Sequence, residues 1–252
     1  MNVNDFSDRF DVLLNSFAYS QLTEGKDKLV GEQKLVHGQT NFSVNLDEYE
    51  KSVFLTQAQR NLVIGLYTGK NEYGFSFEEK ELVREALDAL VTSYITSDST
   101  IDDHQLADGK HEFAFFDIPK DLLYIVWEQV QYKENKCPCK SFKRVPVIPV
   151  THDELHTRLE NPFRGPKCRR VLRLNAADNR VELVSDYPIG SYIIRYVKEP
   201  QPIVLAPLSW EMNINGVTTP QTSFLPDILH EKILEDAVAL AIQSKVIPAR
   251  GE

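Results

Sequence analysis

All thirteen prolines of this 252-residue chain lie after residue 118. Proline fixes φ and lacks a backbone N–H, so it interrupts helices and is confined in sheets to edges and turns. The first part of the chain can therefore form long uninterrupted helices, whereas the second part favours strands and loops. At this length the chain fits one large domain or two small ones.

Apolar side chains spaced three and four residues apart predict helices at both ends of the chain. The first covers about residues 5–20. A second begins after Asn45, which has the side chain of an N-cap, and is expected to bury Val53. The last covers about residues 226–244 and has Pro226 at its first position, where the missing N–H costs nothing.

Two capping-box signatures predict further helix starts. Ser76 with Glu79 is expected to open a helix that buries Leu82. Thr151 with Glu154 is expected to open a short helix that ends before Pro162, because proline disfavours helix in the residue before it.

Strands are predicted where aromatic and β-branched residues cluster, at residues 112–119 and 123–132. Residues 169–174 and 180–184 flank a four-residue turn and predict a hairpin. Residues 192–197 are expected to add a third strand to the same meander.

The fold predicted from these elements is α+β. A helical bundle core, discontinuous in sequence, is expected from residues 1–98 and 225–252. Residues 99–224 are expected to form an antiparallel β-rich insertion with the short helix near 152–160. The segments 21–45 and 246–252 lack a core-forming pattern and are predicted to be arms that become ordered on neighbouring subunits.

The charge of the chain is unevenly distributed. Residues 133–173 contain eleven Lys and Arg against four Asp and Glu, a local charge of +7, so the formal total of −9 leaves −16 for the remainder. Opposed charges of this kind steer docking between copies of one subunit or onto an acidic neighbour. Basic residues near Trp127, Phe142 and Phe163 could also stack with single-stranded nucleic acid, although the acidic total opposes avid DNA binding.

Several residues have the chemistry of a catalytic or metal site but lack the full pattern. His152 and His156 lie four apart as in zinc proteases, but Asp153 stands where the general-base Glu belongs. Cys137, Cys139 and Cys168 lack the spacing and the fourth ligand of a structural zinc site, and their odd number suits a reducing compartment. Asp102, Asp103, His104 and His111 fit a polar loop equally well.

The sequence contains neither a phosphate-binding glycine loop nor a serine-hydrolase elbow. No catalytic residue, metal or cofactor is therefore predicted. A metal-dependent hydrolase using His152 and His156 remains the alternative from another class. No apolar run approaches the roughly 20 residues of a membrane-spanning helix, and we expect a protein made in the cytosol without membrane contact.

Two regions of the chain carry motifs with a specific resemblance. The first is Leu46-Asp47-Glu48-Tyr49-Glu50-Lys51-Ser52-Val53-Phe54-Leu55-Thr56-Gln57-Ala58-Gln59-Arg60. The second combines Asn161-Pro162-Phe163-Arg164-Gly165-Pro166, the strand ending Tyr196-Val197-Lys198-Glu199-Pro200, and the helix entered through Leu225-Pro226-Asp227. The first region resembles a segment of structural proteins of crAss-like tailed phages of gut Bacteroides, and together the two regions are similar to a ring protein of the head-to-tail connector.

The resemblance implies a connector-adaptor fold and a ring of twelve copies in the virion neck, below the portal. Such a ring would bind the portal on one side and the next ring or a tail protein on the other, and packaged double-stranded DNA would pass through its lumen without sequence recognition. Another tail-tube or tail-hub adaptor is the alternative within the virion. The residues expected at assembly interfaces are Phe163, Arg164, Lys167, Arg169, Arg170, Val246, Ile247 and Arg250.

Overall fold

The computed structural model describes residues 1–24, 46–71, 74–97, 99–100, 111–133, 144–177 and 179–246. The chain divides into two compact units, one of residues 1–90 and 200–252 and the other of residues 91–199. The predicted α+β class is confirmed. The predicted insertion was residues 99–224, but residues 91–98 also belong to the second unit and residues 200–224 belong to the first.

The helices of the described residues are α1 (Val3–Glu24), α2 (Glu48–Thr68), α3 (Glu81–Leu87), α4 (His152–Glu160) and α5 (His230–Val246). All except α4 belong to the first unit, which we call the helical unit. Helix α5 packs against both α1 and α2. The contact is apolar, since the fully buried side chains of these three helices include Phe6, Phe10, Leu14, Leu55, Val63, Ile233, Leu234 and Val238.

The start of α2 differs from the prediction. Asp47 rather than Asn45 is the N-cap, and it forms a capping box with Glu50. Val53 is exposed, and the buried face of α2 also contains the polar residues Ser52 and Gln59. An apolar stripe alone could not identify this face because hydrogen-bonding side chains form part of it.

Lys51 is buried between α1 and α2. Its ammonium lies 2.7 Å from the Asp11 carboxylate and 3.0 Å from that of Glu48. Burial by itself lowers the pKa of Lys51, but hydrogen bonds and attraction from the two carboxylates outweigh burial and raise it. Lys51 therefore stays charged and links the two helices.

Helix α2 also holds the chain where it enters the helical unit for the second time. Residues 201–205 run along α2, and three α2 side chains spaced four and three residues apart bond to their backbone. The bonds are Leu205 N–H to Ser52 Oγ (3.0 Å), Ile203 N–H to Thr56 Oγ1 (3.1 Å) and Gln59 Nε2 to Gln201 O (2.7 Å). On its other side the segment pairs with Gln221 through Val204, whose N–H and carbonyl both bond to the Gln221 backbone at 2.9 Å. The α2 side chains thus bond to backbone groups that this bridge leaves over.

The strands of the described residues are β1 (Val91–Thr96), β2 (Ser99–Thr100), β3 (Glu112–Asp117), β4 (Leu122–Tyr132), β5 (Val145–Pro149), β6 (Val171–Ala176), β7 (Arg180–Ser185) and β8 (Ile189–Lys198). They form a sheet in the order β1-β8-β4-β5-β6-β7-β3-β2. The pairings are antiparallel except that of β5 with β6, which is parallel. The predicted insertion is thus β-rich but not wholly antiparallel.

The two ends of this strand order are close in space because they are consecutive in sequence. Strand β1 ends at Thr96 and β2 begins at Ser99. Three residues span at most about 11 Å, so the sheet must curl until its first and last strands are neighbours. A curled sheet has an inner face, which is filled by Phe116, Val130, Val171, Leu183, Tyr192 and Ile194.

Helix α4 covers part of the outer face. Leu155 packs against Leu172, Leu174 and Val184, which point away from the interior of the sheet. Strands β6 and β7 are therefore buried on both faces, and β7 is buried from Val181 to Ser185, including the polar residues Glu182 and Ser185. As predicted, α4 ends at Glu160, two residues before Pro162.

The predicted hairpin of β6 and β7 is confirmed, but the third strand of the meander is wrong. Strand β8 pairs with β1 and β4 instead of β7. The link from β7 to β8 contains Tyr187-Pro188, and a residue before proline is held extended, so the chain continues across the unit rather than turning back. The Pro188 carbonyl accepts a bond from Lys133 N–H at the end of β4 (2.9 Å).

We expect Ser52→Ala to destabilise the helical unit by about 1–3 kcal/mol, because it leaves the buried Leu205 N–H without an acceptor. Urea unfolding followed by helical circular dichroism measures the change. Thr68→Ala is the matched control, since Thr68 also donates to a helix carbonyl but is exposed. Equal effects of the two substitutions would contradict the role assigned to Ser52.

Candidate assembly surfaces

Five of the predicted interface residues lie in one loop, residues 161–170, which joins α4 to β6 and which we call the knob loop. Phe163 is 81% exposed. Arg164, Lys167 and Arg169 are exposed around it, and Arg170 is half-buried. Val246 is the last residue of α5, and Ile247 and Arg250 lie outside the described residues.

The knob loop is held by its own hydrogen bonds. Asn161 Oδ1 accepts from the N–H groups of Phe163 (2.9 Å) and Arg164 (3.2 Å). The Arg170 guanidinium donates to the carbonyls of Gly165 (2.6 Å) and Phe163 (2.6 Å). Arg170 is therefore a structural residue of the loop, and its charge serves to fix the backbone beneath Phe163.

The backbone of the knob loop is closely packed at Gly165. A Cβ at this position would lie 3.1 Å from the Arg158 carbonyl and 3.3 Å from the Asn161 carbonyl. The Lys167 ammonium lies 5.7 Å from the centre of the Phe163 ring, within the range of a cation–π contact. The loop thus presents an aromatic ring with basic side chains around it.

The basic segment 133–173 is less available than its charge suggests. Arg158 pairs with Glu154 at 2.9 Å, and Arg173 pairs with the buried Glu128 at 3.1 Å. Burial raises the pKa of Glu128, and Arg173 together with a 2.7 Å bond from Tyr192 partly opposes this. Lys136, Lys140 and Lys143 lie outside the described residues. Of the five exposed cations that the structure describes in this segment, Arg164, Lys167 and Arg169 lie in the knob loop, and Lys133 and Arg144 lie outside it.

The helical unit contains an apolar groove of about 550 Å³. It lies between α2, α3 and the start of α5, and its apolar lining residues are Leu62, Leu66, Leu82, Val83, Ala86, Pro226, Ile228 and Leu229. Ile228 is 81% exposed and Leu82 is 55% exposed. Exposed apolar side chains around a groove of this size are typical of a binding site.

The groove corrects one sequence prediction. Ser76 and Glu79 do form a hydrogen bond, 2.8 Å from Ser76 N to Glu79 Oε2, but they close a turn, and α3 begins only at Glu81. The buried face of α3 therefore differs from the predicted one. Val83 and Leu87 are buried, and Leu82 points into the groove lining instead of the core.

The charged residues that line the groove are Lys70, Glu85, Lys232 and Asp236. Further acidic side chains lie on its α3 side. Glu81, Glu85 and Asp88 recur along α3 and the 3-10 turn after it, with Arg84 among them. By sequence, residues 1–90 and 200–252 hold the whole formal charge of −9, whereas residues 91–199 contain 16 basic and 16 acidic residues. The helical unit is thus the acidic part of the chain.

A second exposed aromatic residue was missed by sequence reasoning. Trp210 is 78% exposed in the segment before a small hairpin, in which Ile214 and Val217 bond to each other across Asn215-Gly216. Both turn residues have positive φ, as a type I′ turn requires. The Asn-Gly dipeptide was the signal that could have identified this hairpin.

The residues considered for metal chemistry are separated or have other partners. His152 Nε2 bonds to the Asn175 carbonyl (2.9 Å), and the exposed His156 pairs with Glu160 (3.3 Å). His111 pairs with Asp186 at 2.8 Å. Among the described residues no group of three or more potential ligands is close enough to hold a metal ion. Asp102, Asp103, His104, Cys137, Cys139 and Phe142 lie outside them, and Cys168 is a free, half-buried thiol.

No helix in the described ranges is both long and apolar enough to cross a membrane.

Trp127, considered for nucleic-acid stacking, lies on β4 and is 42% exposed. It is not part of the knob loop.

Comparison with known proteins gives matches over almost the whole chain. A profile of the family described as phage tail ring protein 3/4 matches residues 1–251. Ring protein 3 of Bacteroides phage crAss001 is 38% identical over 246 residues, which cover 97% of this chain and 96% of that protein. Ring protein 4/5 of the same phage is 29% identical over 258 residues, covering 96% and 92%.

We expect Arg170→Lys to loosen the knob loop, because a lysine cannot donate to two carbonyls in a fixed fork. The amides of Arg164 and Gly165 should then exchange hydrogen several-fold faster, as measured by mass spectrometry of exchanged peptides. Arg164→Lys, a change at an exposed arginine of the same loop, should leave the exchange rates unchanged. Unaltered exchange in the Arg170 variant would show that the guanidinium does not hold the loop.

Proposed function

The chain belongs to the phage tail ring protein 3/4 family, and from this membership we propose that it forms a closed ring of identical copies in the head-to-tail connector of a tailed phage. The observation that supports this most strongly is the end-to-end match to a ring protein, which covers 96% of that relative. The similarity extends over both compact units, so both would take part in the ring.

The proposed ring would act as a structural connection between other virion proteins, and this role requires no cofactor or catalytic step. Twelve copies would bind the portal on one side and the next ring or a tail protein on the other, and double-stranded DNA would pass through the lumen. The α+β composition, with α1, α2 and α5 packed together in one unit and the sheet in the other, is compatible with the connector-adaptor type of fold.

Another tail or hub adaptor is the second candidate, since the family description refers to the tail. The two proposals differ in position along the virion rather than in chemistry. Locating the protein therefore separates them.

Negative-stain imaging tests the proposal on virions labelled with an antibody to this chain, and on purified protein incubated with the portal. We expect label at the portal exit and closed rings bound to the portal. Label further along the tail would favour the second candidate. A chain that is absent from virions and stays monomeric with the portal would contradict both.

We further propose that residues 246–252 bind a neighbouring protein in the assembly. Deleting them should leave helical circular dichroism and the urea midpoint unchanged but reduce ring or portal assembly, as counted in micrographs. Replacing them with a Gly/Ser stretch of equal length is the matched control for loss of length and should reduce assembly to the same extent. Normal assembly of the deletion variant would refute the proposal.

A further inference from the structure

The knob loop and the apolar groove have complementary properties. We propose that Phe163 of one copy inserts into the groove of the next copy, and that this contact closes the ring. The inference rests on the proposed ring and adds the residues that hold neighbouring copies together. A ring requires heterologous contacts, in which one patch meets a different patch of its neighbour. The two surfaces supply such a pair on a single chain.

The knob loop has the composition and rigidity of a binding anchor. Aromatic residues and arginine are enriched at interfaces and among the residues that dominate binding energy. Phe163 is 81% exposed, yet the backbone beneath it is fixed by Asn161 and Arg170. Because the loop is already ordered, little conformational entropy is lost when its ring becomes buried.

The groove provides the apolar environment that such a ring needs. Its volume of about 550 Å³ can accept a side chain of this size together with part of the adjoining backbone. Leu82 and Ile228 are exposed at the groove, and an inserted aromatic ring would remove both from water. Burying a phenylalanine removes about 150–250 Å² of its surface from water, which makes it a strong anchor.

The charges around Phe163 are opposite to those on the α3 side of the groove. Arg164, Lys167 and Arg169 surround Phe163, whereas Glu81, Glu85 and Asp88 lie on α3 and the turn after it. Lys70 and Lys232 are among the other lining residues of the groove, so the opposition is confined to its α3 side. Opposed charges at the rim of an interface steer the partners together and fix their register. The same charges disfavour pairing of two knob loops, so they favour head-to-tail contacts.

Trp210 is the competing anchor and fits the groove less well. It belongs to the acidic helical unit, and its neighbour in sequence is Glu211. If Trp210 entered the groove from the α3 side, Glu211 would approach the like charges of Glu81, Glu85 and Asp88, which is unfavourable. Trp210 therefore serves as a matched exposed aromatic control.

Photo-cross-linking tests the contact directly in rings assembled on the portal. A benzoylphenylalanine replaces Phe163 in isotopically light copies, which are mixed with heavy copies of the unmodified chain. We expect light-to-heavy cross-links from position 163 to the peptides that contain Leu82 and Ile228. The same probe at position 210 should not link to these peptides.

Reversing the charges at the knob loop and on α3 of the full chain tests the contact independently. Arg164→Glu with Lys167→Glu should weaken ring formation about tenfold or more, and Glu81→Lys with Glu85→Lys should do the same. Combining the four changes should restore assembly, because opposite charges again face each other. Phe163→Ala should also weaken assembly at least tenfold. Its urea midpoint of unfolding should be the same as that of the unmodified protein.

The outcomes separate this inference from the proposed function. Rings that form normally with Phe163→Ala, or that give no cross-link from position 163 to the groove, would overturn the knob-and-groove contact and leave the ring standing. Failure of the unmodified chain to form rings on the portal or in virions would overturn the ring, and the inference with it.

Discussion

The helical unit depends on the hydrogen bonds between one face of α2 and the backbone of residues 201–205. Ser52, Thr56 and Gln59 bind a segment that follows them by about 150 residues in sequence. These bonds fasten the returning chain to α2, and the same chain continues into Pro226, Ile228 and α5, which form one side of the groove. An interaction within the core of the unit therefore determines a feature of its surface.

Local chemistry made part of this architecture predictable. The Ala176-Ala177-Asp178-Asn179 segment between two runs that contain Val and Leu located the β6–β7 hairpin, and Pro162 located the end of α4. The basic and aromatic character of residues 161–170 was also evident from composition. What could not be predicted depends on distant partners. Strand β8 pairs with β1 and β4 because the sheet curls, and Leu82 lies at the groove because α3 begins at Glu81.

The side chains of the two candidate surfaces are exposed for different reasons. Next to the knob loop, Arg158 and Arg173 are paired with carboxylates, and within it Arg170 bonds to backbone carbonyls. Phe163 with Arg164, Lys167 and Arg169 therefore forms a small, defined patch. At the groove, exposure results from the helical register, which directs Leu82 outward while Val83 fills the core. A chain with a basic aromatic projection and an apolar groove that is acidic on its α3 side has what head-to-tail association requires.

A cryo-electron microscopy reconstruction of the ring in the virion tests this account most directly. We predict that the Phe163 ring of each copy contacts Leu82 and Ile228 of the adjacent copy, with Arg164 and Lys167 facing Glu81 and Glu85. A reconstruction in which Phe163 remains in solvent, or in which the groove is occupied by another segment, would contradict it.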